Sequence, residues 1–436
     1  MTRTILVLLI ACTPVRSAVA QPRLRLTLDE AIRQGFEASH RLAEAVARGD
    51  AVRAVVDERR AGVRPQVSAQ AGYVRTNHVD VFGVPLPNSP LRVIYPDVPD
   101  NYRTRLDLQW PVYTGGRADA LERAARAEAA ASADDVALAR TELRLDVTRA
   151  YWALVTASES QRVVEESLSR VRAHLDAVRR QLDAGLLPPS DVLSVEAQES
   201  RQRMLSIQAR GAQQVAEAEL ARLIGAPGAA LDPASALDAP PAPTAALPDL
   251  VEEARRNRAE RAALQKRLAA SEERQTAAAA ASKPTIGLSG GVDYARPNPR
   301  IFPRAEAWKS SWDAGVSAVW PLFDGGRVRA EVAEASALTR ATRERLAEFD
   351  SVLAVEVRQR LSELESSRAA IEAAGESVRS ASEARRVIGE RFAAGVAASL
   401  DVLDAQVALL GAELDRTQVI ANTRVAQARL DRAIGR

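Results

Sequence analysis

From Arg117 to Ala184 the chain runs 68 residues without a proline or a glycine. At ~1.5 Å rise per residue this run predicts a helix of roughly 100 Å, longer than a compact domain can house. Within it Leu143, Val147, Ala150, Leu154, Ala157, Gln161, Val164, Leu168, Val171, Leu175, Val178 and Leu182 follow a 4-3 spacing, interrupted by one strongly polar side chain, Gln161. That pattern is a coiled-coil seam. Abundant Ala and Arg with few aromatics suit close helix packing better than a thick globular core.

The chain also repeats itself. Trp110-Pro-Val-Tyr-Thr-Gly115-Gly116-Arg117 recurs as Trp320-Pro-Leu-Phe-Asp-Gly325-Gly326-Arg327, an offset of 210, and the offset carries Gly185 to Gly395 and Asp191-Val-Leu193 to Asp401-Val-Leu403. Upstream, Arg64-Pro65 corresponds to Lys283-Pro284 at an offset of 219, so a loop between these anchors is longer in the first copy. Each copy reads helix, strand, loop, strand, long helix, turn, helix. The expected layout is a first repeat over 21–225, with strands at about 65–76 and 101–113, a long helix at about 117–184 and a return helix at about 190–223. The second repeat, 248–436, has strands at about 284–296 and 308–323, a long helix at about 327–394 and a return helix at about 399–434. Between them, 226–247 is rich in Pro and Ala and reads as a linker. The second long helix keeps Leu353, Val357, Leu364, Ile371, Val378 and Ile388 in its seam but places Arg360, Ser367 and Arg385 in line with them, so its partner surface differs or is partly wet.

Strand segments alternate with period two. Ile286, Leu288, Val292 and Tyr294 share one face against Ser289 and Asp293. Trp308, Trp312, Val316 and Trp320 oppose Lys309, Ser311, Asp313 and Ser317, and Tyr102, Leu106, Leu108 and Trp110 oppose Arg103, Arg105, Asp107 and Gln109. A barrel wall with aromatic girdles has this pattern, and so has a half-buried soluble sheet.

Residues 1–20 have the charged start, short apolar run and small-residue cleavage site of a secretory signal peptide. Cleavage after Ala20 would remove Cys12, the sole cysteine; a lipobox reading of Leu9-Ile10-Ala11-Cys12 is the rival. No apolar run reaches the ~20 residues of a spanning helix, so a membrane would have to be crossed by strands. Lys+Arg 59 against Asp+Glu 57 leaves no basic footprint for nucleic acid. His40, His78 and His174 are too scattered for a metal cluster, and Gly115-Gly116 and Gly325-Gly326 lack phosphate-loop context and read as strand-to-helix corners. No catalytic constellation or cofactor site is expected, and the chain is not read as an enzyme.

The duplicated Trp-Pro-x-aromatic-x-Gly-Gly-Arg exits, with the duplicated turns Ala184-Gly185-Leu186-Leu187-Pro-Pro-Ser190-Asp191 and Ala394-Gly395-Val396-Ala397-Ala-Ser399-Leu-Asp401-Val-Leu-Asp404, resemble the TolC family of outer-membrane efflux proteins over essentially the whole mature chain. The resemblance implies a mainly α fold with a β-barrel part, in which three chains form a 12-stranded outer-membrane barrel on a long coiled-coil periplasmic tunnel. Four strands alone leave unpaired edges that hydrocarbon does not tolerate, an independent reason to expect an oligomer. It further implies an exit duct for a tripartite efflux or type I secretion system, partnered by outer-membrane lipid, a periplasmic adaptor and an inner-membrane pump. The adaptor would dock at the tip formed by Gly185, Leu186, Leu187, Gly395 and Val396. Asp401 and Asp404, with Asp191, would form an acidic ring at the periplasmic mouth. Read from the residues alone, Ser190 and Ser399 are candidate N-caps, with Asp191 and Asp401 favourable in the first turn. The family's mouth-closing Tyr and Arg are replaced by Phe392 and Ala397, so a closed state would need another lock. The competing expectation is a periplasmic coiled-coil scaffold or adaptor without a barrel, which would be released without detergent.

Overall fold

The computed structural model describes residues 24–241 and 245–436; the expected signal peptide and Cys12 lie outside the described residues. The chain divides into two compact units that cut across the sequence repeats.

One unit comprises His40–Glu142, Ala245–Gln359 and Asp431–Arg436. Its sheet has strands β2 (Gln66–Arg75), β5 (Asp100–Tyr113), β7 (Thr285–Arg296) and β8 (Lys309–Val319), all antiparallel in the order β2-β5-β7-β8. The central β5–β7 pair joins the two copies, so the repeats meet by main-chain hydrogen bonds. The fourth strand stops at Val319 and not near 323, because Pro321 has no N–H to continue the ladder. The longer first-copy loop contains an additional hairpin, β3 (Phe82–Leu86) with β4 (Ser89–Tyr95).

Beyond the sheet, helix α2 (His40–Ala61), the first part of α3 (Arg117–Asp183), α6 (Ala259–Ala279) and the first part of α7 (Arg327–Ala393) pack through small residues. Ala120, Ala124, Ala131, Ala263, Ala270 and Ala277 are buried, which brings helix backbones close. Ion pairs stitch α6 to α3 through Lys266–Asp134 (2.6 Å) and Arg267–Asp135 (2.5 Å), and α6 to α7 through Arg261–Asp350 (2.6 Å). Between α5 (Leu247–Asn257) and α6, buried Arg258 bonds Glu260, Glu356 and the Ala433 carbonyl, so its charge is matched where burial would otherwise be costly.

The other unit takes the chain up to Ser39, then Leu143–Thr244 and Arg360–Leu430. Helix α1 (Leu28–Ala38) starts on a capping box in which Thr27 and Glu30 satisfy each other's backbone N–H. The stretch 226–247, expected to be a linker between the repeats, contains a short strand, β6 (Leu231–Pro233), paired in parallel with β1 (Leu24–Leu26). Tyr151 on α3 secures it, donating to the Leu26 carbonyl (3.1 Å) and accepting from the Ser235 N–H (3.2 Å). Arg424 donates to the Asp238 carbonyl (2.6 Å) and Arg368 to that of Pro240. Helices α4 (Pro189–Leu223) and α8 (Ser399–Ile434) return along the long helices in this unit.

Candidate functional site

Two places carry functional geometry. The first is the sheet, whose two faces differ chemically. On one face Tyr73, Tyr102, Trp308 and Tyr294 touch in succession, with ring centroids 5.0, 5.9 and 4.9 Å apart, a continuous aromatic row at the end where the strands are joined by loops. At the opposite end the Trp110 indole donates to the Val63 carbonyl and the Trp320 indole to that of Ser282, both at 3.1 Å, the same bond in each copy. Tyr102 to Trp110 is nine residues of β5, the length a tilted strand needs to cross a bilayer. Between these ends the face is apolar and open: Trp312 is 75% and Val316 73% exposed. A half-buried soluble sheet would carry a second layer over this face, and among the described residues the chain supplies none there. Among the described residues no helix is long and apolar enough to cross a membrane.

The other face carries a charge network across three strands. Arg103 bonds Asp293 (2.6 Å). Arg105 reaches Asp107 (2.5 Å), Asp313 (2.9 Å) and Asp293, and Arg300 bonds Asp313 (2.6 Å). Gly291 makes room for it, because a Cβ there would overlap the Arg105 guanidinium. Sequence alternation separates the faces but does not reveal this pairing, since Arg105 and Asp293 lie 188 residues apart.

The strand-exit corners Gly115, Gly116, Gly325 and Gly326 all adopt positive φ. At Gly115 the fit is also tight, with the Lys283 Cβ occupying the space of a side chain.

The second place is the paired helical turns. In the first, the Leu186 N–H donates to Gln181 O and Gly185 N–H to Leu182 O, both 2.8 Å. In the second, Val396 donates to Arg391 O (2.8 Å) and Gly395 to Phe392 O (3.0 Å). Both are Schellman endings, which require the left-handed backbone seen at Gly185 (φ 72°) and Gly395 (φ 74°). Val171, Leu175, Val178, Val192, Val195, Phe392, Val402 and Leu403 form the core beneath them. Leu186 and Val396 stay 73% and 65% exposed. Leu187 instead turns in and packs against this core.

The profile of the family described as "Outer membrane efflux protein" matches residues 31–226 and 250–436. The chain belongs to the outer membrane efflux protein family. It is similar to Protein CyaE of Bordetella pertussis, 29% identical over 226 residues, an alignment covering 50% of this chain and only 46% of that protein. Its fold is that of the outer membrane protein VceC of Vibrio cholerae (TM-score 0.75, 20% identity, 94% of this chain and 96% of VceC) and of the outer membrane channel MtrE of Neisseria gonorrhoeae (TM-score 0.76, 22% identity, 94% and 88%). Family and fold place this efflux protein in the outer membrane.

In the efflux protein the turn residues differ from simple capping expectations. Ser190 does not cap α4: the N-cap is Pro188, because Pro189 at the first helical position has its φ already set and lacks the N–H that a cap would satisfy. Ser399 is not a cap either, being inside α8 and buried. Asp401 does the satisfying, its carboxylate accepting the Ala398 N–H at 3.0 Å. Asp401 and Asp404 stand one turn apart on an exposed strip of α8, while Asp191 is half-buried beside the Ser190 hydroxyl (3.3 Å).

Sequence reasoning weighed His174 only as a metal ligand and gave it no place at the tip. Its Nε2 lies 3.0 Å from the Ser399 hydroxyl, and its ring meets Phe392 edge-on at 5.0 Å. Phe392 and Ala397, which stand where the family's Tyr and Arg would be, both pack into the tip core. The signal that could have found His174 is its place one residue before Leu175 of the seam, a polar ring at the border of an apolar stripe. Burial pushes the His174 pKa below its ordinary value, with the Ser399 bond opposing. A depressed histidine pKa means that an opened or unfolded tip takes up a proton before the packed one does. Tip stability is therefore full above pH ~6.5 and declines as pH falls below it. Amide protection at residues 185–187 and 395–398, measured by hydrogen exchange relative to the intrinsic rate at each pH, should fall between pH 7.5 and 5 in the wild type and much less in His174→Gln, which keeps a hydrogen-bonding partner for Ser399 but does not titrate. An equal loss of protection in both would remove His174 as the cause.

Proposed function

We propose that this chain is one third of an outer-membrane exit duct of a tripartite efflux or type I secretion system. The observation that carries the reading is the four-stranded sheet with one open, apolar, aromatic-bordered face, one ionic face and two edges, β2 and β8, that pair only inward among the described strands. Hydrocarbon does not tolerate unpaired strand edges, and closed barrels begin at about eight strands. Pairing β8 of one copy with β2 of the next closes twelve strands from three copies, with apolar faces to lipid and ionic faces to the lumen. The long helices α3 and α7, each of 67 residues and about 100 Å, supply the tunnel wall that reaches into the periplasm. The exposed turns at Leu186 and Val396 are the docking tip for a periplasmic adaptor, which connects the duct to an inner-membrane pump. No chemical step is assigned to the chain; its work is passage.

At the tip, three copies of Asp401 and Asp404 would crowd six carboxylates at the mouth and attract cations, an effect that weakens with salt. The test separates this from capping. Asn can accept the Ala398 N–H in place of Asp401, so the double variant Asp401→Asn with Asp404→Asn should fold and assemble normally. Planar-bilayer recordings should then show reduced cation preference and weaker block by multivalent cations, most clearly at low salt. Unchanged selectivity and block would leave Asp401 as a helix cap only.

A further inference from the structure

The connection between β7 and β8 folds back over the ionic face of the sheet. Asn298, 2% exposed, fixes it: its amide donates to the Lys309 carbonyl (2.9 Å) and the Ser311 hydroxyl (3.0 Å), and its oxygen accepts the Arg300 N–H (2.9 Å). Further along, the Arg304 N–H donates to the Ile94 carbonyl (3.2 Å). Its guanidinium bonds the Tyr95 hydroxyl and the Asn101 side-chain oxygen (3.2 Å) and lies over the Tyr95 ring at 4.9 Å. Between this connection and strands β2 and β5 remains a cavity of about 320 Å³, whose lining includes Gln70, Asn101, Arg103, Pro297, Pro299 and Arg304.

The charges around it do not cancel. Arg103, Arg105 and Arg300 are answered by Asp107, Asp293 and Asp313. The partners of Arg304 are a phenol, an amide oxygen and a ring face, all neutral, and among the described residues no carboxylate is within ion-pair distance of it. Arg103, whose side chain is 53% exposed, lines the same cavity and donates to Asp293 through Nε. An unmatched guanidinium beside two proline rings suits an anionic group carried on a compact apolar body.

We propose that this cavity is an anion-binding subsite of the barrel lumen, taking the carboxylate or sulfonate of a small amphiphilic solute near the exit. The proposal rests on the reading that the ionic face lines the lumen; closure by three copies then gives three such subsites around one passage. They would form a cationic collar, opposite in sign to the acidic pair of the tip.

The probe is naphthalene-1,5-disulfonate, added to either side of the intact protein in a planar bilayer. Wild type should be blocked in a concentration-dependent way, more strongly from the loop side. Arg304→Gln should raise the half-blocking concentration about tenfold, the loss of one charge-assisted contact. Asn101→Asp, which keeps the arginine but supplies it with a carboxylate, should weaken block in the same direction. Unchanged block in both variants overturns the subsite. So does a channel that multivalent cations block from the tip side but that disulfonate does not block from the loop side, and that result leaves the duct reading standing. A purified protein that conducts nothing overturns both.

Discussion

Leu106→Arg should abolish the assembled protein in the outer membrane, whereas Gln109→Arg, three residues along the same strand, should leave it intact. Leu106 lies midway between Tyr102 and Trp110 on the apolar face, is 51% exposed and pairs with Ala69 and Val292 on its neighbours. An arginine at the lipid-facing midplane of a barrel costs ~2–4 kcal/mol, so three copies cost about 6–12 kcal/mol per closed barrel, comparable with the whole stability of many folds. Gln109 faces the other way, toward the side that already carries Arg103 and Arg105, where another guanidinium meets water. Native mass spectrometry of detergent extracts should show a three-chain species for wild type and Gln109→Arg, and little or none for Leu106→Arg. Equal yields from both substitutions, or the reverse order, would mean that the faces are assigned the wrong way round.

The second large effect is expected at the tip. Gly395 holds φ at 74° with no neighbour within 4 Å of a would-be Cβ, so its requirement is conformational and not one of space. A β-branched residue there loses ~1–2 kcal/mol or more to left-handed strain and spoils the Schellman ending that aims Val396 outward. Gly395→Val should therefore assemble as a trimer but transport poorly. Val396→Asp separates geometry from contact: it leaves the backbone unstrained and only charges an apolar surface residue that is 65% exposed. Both should lower efflux of a reporter substrate at least tenfold in cells, with normal amounts of trimer in the outer membrane. Full transport by Val396→Asp would show that an adaptor does not grip this surface.

The tip also shows where local rules in the sequence were followed and where they were displaced. Gly185 and Gly395 end their helices as their residue type suggests, because a left-handed ending is decided within a few residues of chain. Ser190 and Ser399 look equally well suited to caps. One is displaced by a proline that starts the helix earlier; the other is inside α8, its hydroxyl within bonding distance of His174, 225 residues away. A cap preference is worth ~1 kcal/mol, small enough for such a neighbour to override.

What the sequence by itself determined is whatever has a period or a break. The seam and the absence of Pro and Gly specify the long helices, alternation specifies two-faced strands, and the duplicated Gly-Gly corners and turns mark where elements reverse. Only the tertiary structure decided which groups meet. It joined the two copies through β5 and β7, and it paired β6, a short strand within the expected linker, with β1. It also gathered Arg103, Arg105, Asp293 and Asp313 into one network and folded the Asn298 connection over it. The physical reason is range. Helix and strand periods arise from sterics and burial among near neighbours in the chain, whereas a salt bridge or a strand pairing depends on partners that come together only once the whole chain is placed.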